Sequence, residues 1–199
     1  EGGQITDIES KYPKKMIMRD FIHHALYNNK WGYYPRLFRK YRELMTIGSH
    51  DPIPFGALRN KQDYITYVGK VNDTGPTFAS PSQLFHPYYA WVFAEYVVSV
   101  MRAKFDPSEP LVIYEVGAGT AAFALPFLDY LAEQFPEVYE TCEYHLIDIN
   151  PQVIQVQRNR LVHHYHHCKI HNISILNWRE MEPRRCFVMG LEIMSSMPH

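Results

Sequence analysis

The stretch LVIYEVGAGTAA, residues 111–122, constrains the fold more than any other part of the chain. Its first half, LVIYEV (111–116), is a short continuous apolar run, the make-up of a parallel strand buried on both faces. It leads directly into Gly117-Ala118-Gly119, and a helix is expected from about Ala121 to Leu131. Glycines at a strand-to-helix turn let the backbone bend tightly and let a ligand approach where a Cβ would collide. Free N–H groups at the start of the helix lie beside such a turn. A lone GxG also suits a purely structural turn, so its surroundings decide what it means.

Those surroundings continue the alternation. YHLIDI (144–149) reads as a second strand, followed by the helix PQVIQVQRNRLVHHY with Pro151 in its first turn. ISILNW (173–178) is the expected third strand and CFVMGLEI (186–193) the fourth. Strands alternating with helices predict an α/β fold with a mostly parallel sheet covered on both faces. Ahead of it, residues 13–105 read as mostly helical. MIMRDFIHHALY carries apolar residues near helical spacing and should stop at Asn28-Asn29. Tyr64–Val68 is a candidate strand, and YYAWVFAEYVVSVMRAKF a long, mostly buried helix. Pro107 and Pro110 close this region, which divides the chain into a mostly helical part, 1–108, and a nucleotide-binding half, 109–199. Because the sequence ends just after a strand and opens without Met, it is expected to be part of something longer.

An acid sits at the tip of the second strand. Asp148 is placed to accept both hydroxyls of a ribose, or to act as a charge or cap at the helix start near Asn150. Dinucleotide sites carry this acid about 20 residues after the glycines, whereas Asp148 comes about 30 residues after them. Glu115, just before the turn, is a poor neighbour for a pyrophosphate and a good one for a cationic amino acid. The residues therefore favour S-adenosylmethionine over a nicotinamide dinucleotide, and with it a class I, Rossmann-like methyltransferase fold, cut off after the fourth strand. The predicted cofactor-binding positions are Glu115, Gly117, Gly119, Asp148 and Ile149.

Composition narrows the remaining choices. The formal net charge is −1, so no overall field draws the chain to nucleic acid or anionic membrane. No apolar run reaches the roughly 18 residues of a membrane span. The three cysteines, Cys142, Cys168 and Cys186, have no CxxC spacing, which argues against a disulfide framework. The 15 tyrosines suit a large pocket or a protein partner, and equally a Tyr-rich core and surface.

Four segments, in order, resemble the MidA-like methyltransferases, a family that includes a mitochondrial protein-arginine methyltransferase of respiratory complex I assembly. MIMRDFIHHALYNNKWGYY is similar to the family's opening helix and its "GYY" ending, here Tyr33-Tyr34. GPTFASPSQLFHPYYAWVFAEYV resembles the "F-T-(A/S)-P" loop and the helix after it. YEVGAGTAAFALPFL resembles "E-(F/V)-G-A-G-S-G", and LIDINPQVIQVQRNRL resembles "(V/I)-E-(I/V)-S-P … Q-R-x-x-L". The resemblance implies cofactor contacts from Tyr34, Ser80 and Pro81, and a catalytic Glu192 that orients a guanidinium by bidentate hydrogen bonding. Tyr33 and Tyr34 would wall the pocket, or serve as ordinary core and surface aromatics.

The departures are specific. Ala121 replaces the loop's third glycine, and Asp148 replaces a glutamate. The family's "N-E-x-x-D-A-x-P" reads Leu191-Glu192-Ile193-Met194-Ser195-Ser196-Met197-Pro198, so its Asn and Asp are lost. Two readings follow. One is a protein-arginine methyltransferase linked to assembly of a mitochondrial complex. The other is a retired methyltransferase fold kept as a subunit or assembly factor of a ribosome or respiratory complex. By resemblance the compartment is mitochondrial, with a bacterial cytoplasm as the alternative; a hydride-transferring enzyme is a distant third. Finally, His163-His164-Tyr165-His166-His167-Cys168 and His171 would place histidines four apart if the helix continued. That suits a metal, but more readily an exposed helix end or a partner contact.

Overall fold

The computed structural model describes residues 15–40, 53–73, 80–191 and 193–197. The chain divides into two compact units, one of Glu1–Arg42 with Glu192–His199 and one of Glu43–Leu191. In the first, helices α1 (Met18–Tyr27) and α2 (Tyr33–Lys40) accompany a 3₁₀ turn at Met194–Ser196. The helix α1 ends at Asn28 as the sequence predicts. The Asn28 side chain accepts the N–H groups of Lys30 and Trp31, at 2.9 and 3.1 Å, and turns the chain back. Gly32 is glycine because the backbone passes too close for anything else: a Cβ there would lie 2.4 Å from the Asn28 nitrogen.

The second unit begins with α3 (Lys61–Asp73), α4 (Pro81–Leu84) and α5 (Tyr88–Lys104). The helix α3 overturns the candidate strand at Tyr64–Val68. The Asn60 side chain accepts the N–H groups of Gln62 and Asp63, at 2.8 and 3.0 Å, and so starts a helix that runs through the β-branched residues. The helix α5 has the expected bounds but is not buried all round. Ala90, Ala94, Val97 and Val98 face the core while Val92 and Tyr96 are exposed.

Next come β1 (Val112–Val116), α6 (Ala124–Gln134), α7 (Pro136–Tyr139), β2 (Glu143–Asp148), α8 (Pro151–Arg160), β3 (Cys168–Asn172) and β4 (Phe187–Met189). All strand pairs are parallel, in the order β3-β2-β1-β4. The third strand is CKIHN, not ISILNW. Its backbone continues the register of β2, with Tyr144 opposite Cys168, whereas Ser174 caps a 3₁₀ turn at Ile175–Asn177 through the Leu176 N–H. The fourth strand is shorter than expected. The helix after the glycine turn starts at Ala124 because Ala121 has φ of 60°, outside the helical region. The helix after β2 stops at Arg160, so the following histidines do not share a helix face.

The sheet has two different faces. On one, Ile113, Tyr144, Leu146 and Met189 pack against α5 and against Phe123, Phe127, Leu128 and Leu131 around α6. Alanines at 90 and 94 leave room for Tyr89 and Phe93 to meet Phe123 edge-on. The other face carries Tyr114, His145 and His171. His145 stacks on Tyr114 and on His171, and Trp178 stands edge-on to both Tyr114 and His171.

Candidate cofactor site

The glycine turn and the tip of β2 meet at the carboxyl ends of β1 and β2. Three alternate residues of the turn have positive φ: Gly117 at 75°, Gly119 at 53° and Ala121 at 60°. The first two are free to do so, and the third bears a cost of about 1–2 kcal/mol for its Cβ. The family pattern has glycine at all three positions, so its third glycine answers to backbone conformation. Gly119 differs from Gly32. A Cβ built on Gly119 meets nothing nearer than the Gly117 carbonyl, 4.0 Å away. Beyond its φ, no contact among the described residues demands a glycine there.

Asp148 holds this turn. One carboxylate oxygen accepts the Gly119 N–H and the other the Asn150 N–H, both at 2.8 Å. Asn150 in turn caps α8 by accepting the Gln152 N–H at 3.0 Å, with Pro151 at the first helical position. The capping role thus falls to Asn150, and Asp148 joins the turn to the helix start. Each Asp148 oxygen retains a further lone pair for a hydroxyl. Burial pushes its carboxyl above the usual range, and the two backbone N–H groups oppose that rise. Ile149, next along, is exposed.

Two residues that the sequence reading did not single out complete the grip. Gln157 of α8 is fully buried and donates to the Gly119 carbonyl at 2.7 Å. Arg160 donates to the carbonyl and hydroxyl of Thr120, both at 3.2 Å. The Gly119 residue is therefore held through its N–H by Asp148 and through its carbonyl by Gln157. A signal for Gln157 was present, since it is the Gln of the "Q-R-x-x-L" pattern.

Glu115 shares the sheet face of Asp148. It is 3% exposed, and one carboxylate oxygen accepts the hydroxyl of the buried Tyr144 at 2.9 Å. Burial, with Asp148 adding to it, pushes the Glu115 carboxyl up to about 8 against the pull of that hydrogen bond.

Residues 92–199, more than half of the chain, match the family described as "Putative S-adenosyl-L-methionine-dependent methyltransferase". The chain belongs to that family. A fission yeast relative, Protein arginine methyltransferase NDUFAF7 homolog, mitochondrial, is 24% identical over 93% of this chain and 40% of its own length. Among solved structures, a COG1565 superfamily member from Burkholderia thailandensis bound to S-adenosyl-homocysteine matches with a TM-score of 0.57 and 20% identity. That match covers 97% of this chain and 40% of the other. The chain thus spans about two fifths of the length of each. The fold is the Rossmann-like α/β fold of S-adenosylmethionine-dependent methyltransferases, and the family's cofactor is S-adenosylmethionine.

The remaining predicted positions are divided between the two units, Ser80 and Pro81 in the second and Tyr34 in the first. Ser80 opens α4, its N–H donating to the Gln83 side chain at 3.0 Å, and Pro81 takes the first helical position. Most of the loop before them lies outside the described residues, as does Glu192. In the first unit, Tyr34 stacks on Tyr27 with ring centres 5.5 Å apart. The hydroxyls of Tyr34 and Tyr27 bond the Ser196 hydroxyl and carbonyl. Within the first unit, the residue after Ser195 is thus bonded to these tyrosines. Tyr33 is exposed and meets Tyr34 edge-on.

The histidine run disperses too. His164 is buried and links Tyr139 to Asp129, at 2.7 and 2.9 Å. His167 reaches the Cys142 carbonyl at 3.1 Å, and His171 belongs to the second sheet face. Among the described residues no three potential ligands gather at one point to hold a metal, and no helix is long and apolar enough to cross a membrane.

Proposed function

We propose that this chain carries the cofactor-binding half of a protein-arginine N-methyltransferase that acts in assembly of a mitochondrial complex. The observation that carries the cofactor part is the Gly119 residue, fixed on both sides by Asp148 and Gln157. Bound S-adenosylmethionine supplies an activated methyl group on a sulfonium. The chain's own residues bind and orient: Asp148 offers lone pairs to the ribose hydroxyls, Gly117 and Gly119 admit the ligand to the backbone, and Ile149 offers an apolar surface beside Asp148. Glu115 provides negative charge for the cationic amino-acid end, while Tyr34, Ser80 and Pro81 are proposed as cofactor contacts on the strength of the family resemblance alone. Glu192 is proposed to hold a guanidinium in line with the methyl group. Arginine as acceptor, and the mitochondrial setting, are supported by the name of the fission yeast relative and by the MidA-like motifs.

A second reading is favoured by one observation. Leu191, standing where the family has Asn, packs against the apolar core instead of offering a polar group. That supports a retired enzyme serving as a subunit or assembly factor of a large mitochondrial complex.

Calorimetric titration with S-adenosylmethionine, beside an Asp148→Ala variant, tests the cofactor site. The expected result is micromolar binding that the variant weakens tenfold or more, about 1.4 kcal/mol. No heat and no thermal stabilisation at millimolar ligand would remove the enzyme reading. Binding without transfer of labelled methyl groups to arginine peptides would favour the retired form.

A further inference from the structure

Glu115 and Asp148 lie on one face of adjacent strands, the two least exposed carboxylates of the described residues, at 3% and 9% exposure. Neither forms an ion pair among the described residues. Among the described residues, the groups that face Glu115 are all acidic or neutral. β2 brings the Tyr144 hydroxyl and Asp148, and β3 brings Cys168. Burial raises the Cys168 thiol to about 12, so it carries no charge at neutral pH. The cation brought by α8, Arg160, spends its hydrogen bonds on Thr120. A buried carboxylate without a cation is unfavourable, and the cheapest remedy is a proton.

We propose that S-adenosylmethionine binding expels one proton from Glu115, the buried carboxyl group that waits beside the glycine turn for a positively charged ligand. This rests on the cofactor reading given under Proposed function. On binding, the O–H bond of the Glu115 acid breaks, the proton passes to buffer, and the carboxylate takes the ligand's positive charge as its counter-ion. The sign follows from linkage. A carboxyl near 8 in the free protein is protonated at neutral pH, and a nearby cation lowers it. Affinity therefore rises with pH, by up to tenfold per unit, until the ligand's own ammonium starts to lose its proton at about pH 8.

Calorimetry at about pH 6.5 in buffers of different ionisation enthalpy counts the protons. The wild-type chain is expected to release nearly one proton more than Glu115→Gln; at this pH the ligand's own ammonium is almost fully protonated before binding and adds little to either count. Equal counts overturn the proposal. Should Glu115→Gln fail to fold or to bind, difference infrared spectroscopy of the wild type decides. A carboxylic acid C=O band, assigned by its shift in Tyr144→Phe, must be present without ligand and vanish with it. A free protein lacking that band at about pH 6.5 overturns the proposal, as does a band that survives saturation. Failure of the wild type to bind at all removes the cofactor reading and the linkage with it, while the band still reports whether Glu115 holds a proton.

Discussion

The sheet presents two groups of acids, and they live under opposite rules. On the second face, Glu143 and Glu182 are bridged by Arg184, and Lys169 adds a further pair to Glu143 at 2.7 Å. Those cations hold both carboxyls down, to about 2. Glu182 also accepts the Tyr114 hydroxyl at 3.0 Å, so this network fastens the chain after Trp178 to the strands beneath. On the first face, Glu115 and Asp148 have hydrogen-bond donors but no cation among the described residues, and both carboxyls rise. Satisfied acids belong to the architecture; acids left without a counter-ion mark the place where charge is to arrive.

The contrast can be broken by experiment. Gly119→Val should do most, because a β-branched side chain at a φ of 53° is strained and fills the space before the turn. Cofactor binding measured by calorimetry should fall more than a hundredfold. Gln157→Leu should come next. It leaves the Gly119 carbonyl without its buried donor, at a cost of about 1–3 kcal/mol in chemical denaturation. Affinity should fall by roughly tenfold, since a loosened turn is less pre-organised.

Arg184→Met acts on the opposite face and sharpens the distinction. It should cost about 1 kcal/mol, since the guanidinium is partly solvated, and leave cofactor affinity unchanged. Its pH signature is defined. Glu143 and Glu182 have depressed carboxyls, so their contribution is present above the usual carboxylate range and is lost as pH falls from about 4.5 towards 2. The variant should lose the Glu182 part of that acid limb in thermal melts and keep the part that Lys169 gives to Glu143. Ala121→Gly has the smallest effect. Relief of the positive φ, partly offset by the greater freedom of an unfolded glycine, should raise stability by about 0.5–1 kcal/mol without altering binding.

Sequence reading located the β1 turn, β2 and Asp148 because each is announced within a few residues, by a buried apolar run, glycines or a strand-end acid. It misplaced β3 because ISILNW has better strand composition than CKIHN, while the register with β2 is a long-range fact. It misread Tyr64–Val68 because the cap at Asn60 lies outside the β-branched run that it governs. Gln157 and Arg160 escaped for a related reason. Their partners lie 38 and 40 residues away, and apart from the family pattern that includes Gln157 nothing local marks a glutamine as the support of a distant glycine. The apolar facing of Leu191 was likewise invisible, although its departure from the motif was not.

Glu143 and Asp148 belong to the same strand, and they lie five positions apart. Five is odd, and in a strand odd spacing sends two side chains to opposite sides. The parity of β2 therefore sorts one acid into the braced network and the other towards the glycine turn, over about 17 Å of backbone. Removal of a single residue between them would put both on one side. Two point substitutions could damage the two groups separately, but that one deletion would confuse them with each other.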